Sequence, residues 1–157
     1  MPKSEWEIVS DKTYRAIGRF IFEFSQAEYT IRHYLAEEIE LDEKHFAPVV
    51  ESYDVGVLCT VAKQVFLNTR DGKNAARIEM LINKFSKMSH QRNRVAHGLW
   101  VPFKDGGTVH HVPRGNLKPA RFSEQADRLE KGADELQAMR AQLEEAFLGP
   151  YLTKQNY

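Results

Sequence analysis

From Asp11 to about Ile39 the apolar residues Tyr14, Ile17, Phe20, Ile21, Phe24, Ala27, Ile31, Tyr34 and Leu35 return every three or four positions. That spacing gathers them on one broad stripe of a long helix, because about 3.6 residues complete a turn. The preceding "SEWE" has capping-box spacing from Ser4 to Glu7, which fits either a separate turn or an extension of the same helix. The acidic run Glu37 to Glu43 closes the helix and leads into a loop. Pro48 suits a first helical turn, and Val57, Leu58, Val61, Ala62, Val65 and Phe66 predict a second helix that stops at the Asp71-Gly72 turn. A third helix runs from about Asn74 to His97 with Ala76, Met80, Leu81, Phe85, Met88 and Val95 inward. Gly98 can end it in the left-handed conformation.

The helical period is lost between Leu99 and Arg121. "LWVPF", "KDGG" and "TVHHV" read as two short extended stretches around a glycine-containing turn, and Pro102, Pro113 and Pro119 oppose helix. A β-hairpin or ordered loop is therefore expected over residues 99–122. Ser123 reads as the N-cap of a last helix through Phe147, with Ala126, Leu129, Ala133, Leu136, Met139, Leu143 and Phe147 on its apolar face. Residues 149–157, "GPYLTKQNY", read as a tail. The expected fold is all-α: one domain over residues 1–157, an antiparallel bundle of four helices, or five. The hairpin or loop is inserted between the third and fourth main helices.

Composition agrees with a chain that buries a core, at 42% hydrophobic and 28% charged residues. Cys59 is the single cysteine and lies in "VGVLCTVA", so an intrachain disulfide is excluded and a packed, inert thiol is expected. The N-terminus lacks the apolar run of a signal peptide, and no stretch approaches the roughly 20 apolar residues that span a bilayer. These points favour a cytoplasmic location and no membrane contact.

Charge changes the picture locally. Lys plus Arg and Asp plus Glu are 22 each, so the whole chain has no general attraction to nucleic acid. Between Arg70 and Arg94, however, seven basic residues face only Asp71 and Glu79, whereas Phe122 to Phe147 is acidic. Either the two helices are neighbours with complementary faces, or the basic strip binds a ligand.

The basic strip ends in "RNRVAHG", Arg92 to Gly98. Arg92 and His97 are five residues apart, which sets them about 140° apart on a regular helix, whereas Asn93 and His97 are one turn apart. A site using Arg92 with His97 needs a distorted helix end, the reach of the arginine, or a second copy of the helix. Arginine offers a fixed fork of donors matching phosphate, and histidine, with an ordinary pKa of about 6.5, exchanges protons near neutrality. With RNA as substrate the 2′-hydroxyl can attack its own phosphate, and no metal or other cofactor is needed. A structural reading stands beside this one: a histidine before a helix-ending glycine complements the helix dipole, with Asn93 merely bonded to it.

"RNRVAH" resembles the R-x4-6-H motif of the HEPN superfamily, with a polar residue directly after the arginine and the histidine five after it. "GRFIFEFSQAEYTIRHYL" is similar to the opening helix of many such domains, where "FS" precedes a glutamate. The resemblance implies an all-α bundle that forms a homodimer with two motifs in one composite cleft. It implies a metal-independent endoribonuclease leaving a 2′,3′-cyclic phosphate and a 5′-hydroxyl, as in toxins and phage-defence effectors, with an antitoxin or defence-complex partner. Carried over by position, Arg92 would hold the scissile phosphate, His97 would transfer protons and Asn93 would orient either. Apart from the resemblance, Lys87, His90 and Arg94 lie near the motif and read either as contacts to the RNA backbone or as solvated side chains, and Glu28 reads either as a partner of the motif or as an ordinary helix-flank carboxylate. One subgroup of toxins has tyrosine two residues after the histidine; Leu99 stands there, which speaks against regulation through that tyrosine. The alternative is a non-catalytic HEPN module that binds a nucleotide, RNA or a protein partner. His110 and His111 are adjacent, so on a strand they face opposite ways and do not form a joint metal site. Trp100 and Phe103 either stack bases or pin the hairpin. The neutral overall charge points to a selective enzyme rather than a general RNA shredder.

Overall fold

The computed structural model describes residues 4–103, 106–111 and 120–152. Among them the order is α1 (Glu5–Glu38), α2 (Glu43–Phe46), a π-helical turn (Ala47–Glu51), α3 (Val55–Thr69), α4 (Gly72–His97), β1 (Leu99–Phe103), β2 (Gly106–His111), β3 (Ala120–Gln125) and α5 (Ala126–Leu152). The fold is an all-α helical bundle that carries one small antiparallel sheet. No helix among the described residues is long and apolar enough to cross a membrane.

The opening "SEWE" is part of α1. Ser4 and Glu7 form a reciprocal cap, in which the Glu7 carboxylate accepts from the Ser4 amide at 2.7 Å and hydroxyl at 2.8 Å. The Ser4 hydroxyl accepts in turn from the Glu7 amide at 3.3 Å. These bonds from Ser4, backbone first, hold the Glu7 carboxyl below its ordinary range. At its other end α1 closes through the Leu41 amide to the Ala36 carbonyl at 2.9 Å and the Glu40 amide to the Glu37 carbonyl at 3.1 Å. That pattern puts Glu40 in the left-handed conformation, φ 52°, where glycine is usual and a side chain costs about 1 kcal/mol.

The chain divides into two compact units, Met1–Phe24 with His90–Leu136 and Ser25–Ser89 with Gln137–Tyr157. In the first, Ala16, Phe20 and Phe24 of α1, Val95 of α4 and Ala126, Leu129, Ala133 and Leu136 of α5 are buried. Lys12 pairs with Asp127 at 2.8 Å, and Arg19 with Glu130 at 2.6 Å and Asp134 at 2.5 Å, so α1 and α5 run in the same direction here. In the second, the core is built from Ile31 and Leu35, from Leu58 and Phe66, from Ile78, Ile82 and Phe85, and from Leu143 and Phe147. Lys63 donates to Asn83 at 2.9 Å, and Arg77 donates to Glu145 at 2.7 Å. The acidic last helix is thus shared between α1 and α4 rather than matched to the basic helix alone.

Two arginines lock the second unit. Arg32 donates to the Glu28 carboxylate, to the Val50 carbonyl and, at 2.8 Å, to the Tyr53 carbonyl. Arg70 grips the Glu38 carboxylate and donates to the Phe147 carbonyl at 3.1 Å.

Several expectations need correction. The 99–122 insertion is not a two-stranded hairpin but a three-stranded sheet in the order β1-β2-β3, with Leu99 opposite His110 and Val109 opposite Phe122. Ser123 therefore lies in β3, opposite Thr108, and does not cap α5, which starts at Ala126. The tail boundary at Gly149 also shifts, because α5 continues to Leu152. Pro150 within it has no amide for the Ala146 carbonyl, and that carbonyl accepts instead from the Asn74 side chain at 2.9 Å. Tyr14, Val57 and Met80, expected inward, are exposed. On α4 the buried face is Ala75, Ile78, Leu81, Ile82 and Phe85, a set that closes without Ala76 or Met80. The "KDGG" turn at Lys104 and Asp105, Pro113, Pro119 and residues 153–157 lie outside the described residues.

Candidate active site

α4 stays helical through His97, and the Gly98 amide continues its ladder to the Arg94 carbonyl at 2.9 Å. The motif is therefore displayed on a regular helix, and its side chains are sorted by angle around it. Three directions are occupied differently.

One face meets the sheet. Gln91 donates to the Glu124 carboxylate at 3.3 Å, and the Arg94 guanidinium lies over the Phe122 ring at 4.5 Å from its centroid. Positions 91 and 94 are one turn apart on α4, and 122 and 124 share one side of β3, so the two periods mesh. The Trp100 indole donates to the Val95 carbonyl at 3.0 Å and ties β1 to the last turn of the helix. Trp100 therefore acts here as the pin; the Phe103 side chain is outside the described set.

A second direction holds Arg92. Its guanidinium lies 5.6 Å from the centroid of Phe24 on α1, and its Nη1 donates to Asn93 Oδ1 at 3.1 Å. Its Nε is buried without a hydrogen-bond partner, and so is that of Arg94. Neither arginine forms an ion pair with a described residue. The aromatic face supports the cation while leaving its donors unspent.

The third direction is open. His90, Asn93 and His97 are exposed and fall at spacings of three and four, on one face. His97 makes no hydrogen bond or ion pair with any described residue, so the reading in which Asn93 simply bonds to it does not describe this arrangement. Arg92 thus reaches round the helix to Asn93, which stands one turn before His97.

The other expected residues have partners or surroundings of their own. The Glu28 carboxylate accepts from Arg32, which also donates to the Val50 and Tyr53 carbonyls. Lys87 is in the second unit, on the rim of an open groove of about 540 Å³ with Glu79, Asn83 and Lys84. Arg94 is half-buried over Phe122. Cys59 is buried in the second unit, and burial pushes its thiol up to about 11, which makes it a poor nucleophile.

Sequence reasoning missed the aromatic seats, Phe24 and Phe122, and the buried carboxylate Glu124. A signal existed for the last two, since "ARFSEQ" alternates with period two around Phe122 and Glu124. No family model, no curated protein and no solved structure matches the chain.

Proposed function

We propose that this chain is a metal-independent endoribonuclease of the HEPN kind, acting through Arg92, Asn93 and His97. The observation that carries the reading is the unspent state of the motif: a guanidinium seated on Phe24 and touching Asn93, with an exposed, unengaged histidine one turn further on.

In the proposed reaction a base removes the proton of the 2′-hydroxyl, and that oxygen attacks the adjacent phosphorus. The bond to the 5′-oxygen breaks, the leaving oxygen takes a proton, and a 2′,3′-cyclic phosphate and a 5′-hydroxyl result. His97 exchanges a proton in this sequence, while Arg92 neutralises the charge that builds on the phosphate oxygens. On an undistorted α4, Arg92 and His97 leave the helix about 140° apart, and although Arg92 reaches Asn93, the site is proposed to be completed between two copies in a homodimer. A selective RNA substrate fits the balanced charge of 22 basic and 22 acidic residues. An antitoxin or defence-complex partner, with activity held in check until released, belongs to the same proposal, as does a cytoplasmic location.

The test is cleavage of labelled RNAs, tRNA included, in excess EDTA by the wild type, Arg92→Ala and His97→Ala, with product ends analysed. Cyclic-phosphate ends made by the wild type alone are expected. If Arg92→Ala abolishes RNA or nucleotide binding and no protein cleaves, the non-catalytic module is the correct reading.

A further inference from the structure

The unit formed by Ser25–Ser89 with Gln137–Tyr157 contains a cleft of about 560 Å³ where the end of α1 faces α2 and the π-helical turn. That volume is within the range of small-molecule sites, roughly 300 to 1,000 Å³. Three rings wall it. Tyr29 and His33 stack with centroids 6.1 Å apart and planes 11° apart, and Phe46 meets Tyr29 edge-on at 6.3 Å and 62°. Ala36 and Ala47 are small and leave the space between the rings open. Tyr29 is 55% exposed, a large aromatic surface facing the cleft rather than the core.

The rim is acidic, with Glu37, Glu40 and Glu43. The Glu37 carboxylate lies 3.2 Å from the His33 imidazole. Glu40 and Glu43 form no ion pair with a described residue. The neighbouring Lys44 and His45 lie beside Asp42 instead, at 3.2 and 3.9 Å. Glu40 is also the residue that occupies a left-handed position where glycine would be the easier choice.

We propose that this cleft binds a small organic cation through a substituted ammonium group. The ring faces attract a desolvated cation through their quadrupoles, and the unpaired carboxylates supply complementary charge and repel anions. A metal ion is a poorer match. Among the described residues no three His, Cys, Asp or Glu groups converge as ligands, and a hard cation needs converging oxygens rather than ring faces.

The test compares choline with its neutral carbon isostere, 3,3-dimethyl-1-butanol, by NMR titration of the full chain. Choline is expected to saturate in the millimolar range or below, and the isostere to bind about ten-fold more weakly. Tyr29→Leu and Phe46→Leu should each weaken choline several-fold. Glu40→Gly removes a rim carboxylate and relieves the backbone, so it should lower affinity while the melting temperature holds or rises; this separates binding from folding. A further arm uses an Nε-trimethyl-lysine amide. Tighter binding than choline assigns the ammonium group to a protein side chain, and equal or weaker binding assigns it to a free small molecule. Equal binding of choline and the isostere, no saturation by choline, or unchanged affinity in Glu40→Gly overturns the proposal.

Discussion

Arg32 and Arg70 on one side, and Arg92 and Arg94 on the other, are partnered in different ways. In the second unit Arg32 and Arg70 are saturated by carboxylates and by backbone carbonyls. In the first unit Arg92 and Arg94 rest on Phe24 and Phe122, each with a buried, unpartnered Nε and neither in an ion pair with a described residue. A saturated guanidinium is spent on the fold, because its charge and donors are already matched. Arg70 lies over a ring too, that of Phe66 at 5.8 Å, so what sets Arg92 apart is that it has no carboxylate or backbone carbonyl partner among the described residues. The position of a basic residue along the chain does not separate these cases; Arg70 and Arg92 belong to the same basic stretch.

The largest effect should come from the saturated pair. Arg70→Ala leaves the Glu38 carboxylate, about nine-tenths buried, without its partner and should cost about 3 to 5 kcal/mol in urea denaturation. A loss under about 1 kcal/mol would show that Arg70 is no more structural than an exposed pair. Arg92→Ala and His97→Ala should instead lower RNA cleavage by about 100-fold or more, with only small changes in denaturation midpoint. If Arg92→Ala destabilises as strongly as Arg70→Ala, Arg92 is a structural residue.

At the lower end, Asp54→Ala removes the carboxylate that accepts from the Val57 amide at 2.8 Å and caps α3. It should cost about 1 kcal/mol, the ordinary scale for an exposed cap. The smallest effect concerns Cys59. Its thiol titrates at about 11 in the fold against an ordinary 9.0. The unfolded chain therefore releases this proton first, and folding stability falls as pH rises between those values. Cys59→Ala should flatten that slope relative to the wild type, and the native thiol should resist alkylation at pH 8 until denaturant is added.

The helices were legible because each buries one stripe, and a stripe leaves a period in the sequence. The stripe of α4 was displaced because Ala76 and Met80 are apolar yet exposed, while Ala75 and Ile78 complete the face. The motif was legible as residue types at fixed spacing. What supports it was not, because Phe24 is distant in the chain and reads as an ordinary core residue of α1. β3 was hidden for a different reason: Ser123 is a good helix cap by itself, and only pairing with β2 decides for strand. Residues 149–152 read as tail rather than helix because the side chain that satisfies the Ala146 carbonyl comes from 72 residues earlier.

The unbroken course of α4 to His97 bears on inheritance as well as on geometry. If the proposed site joins Arg92 of one copy to His97 of the other, two inactive proteins can rescue one another. Mixing Arg92→Ala with His97→Ala chains would place one intact pairing in each mixed dimer and restore about a quarter of wild-type cleavage at equal doses. Neither variant would then behave as a simple null allele, and a cell carrying both would regain activity that each alone lacks.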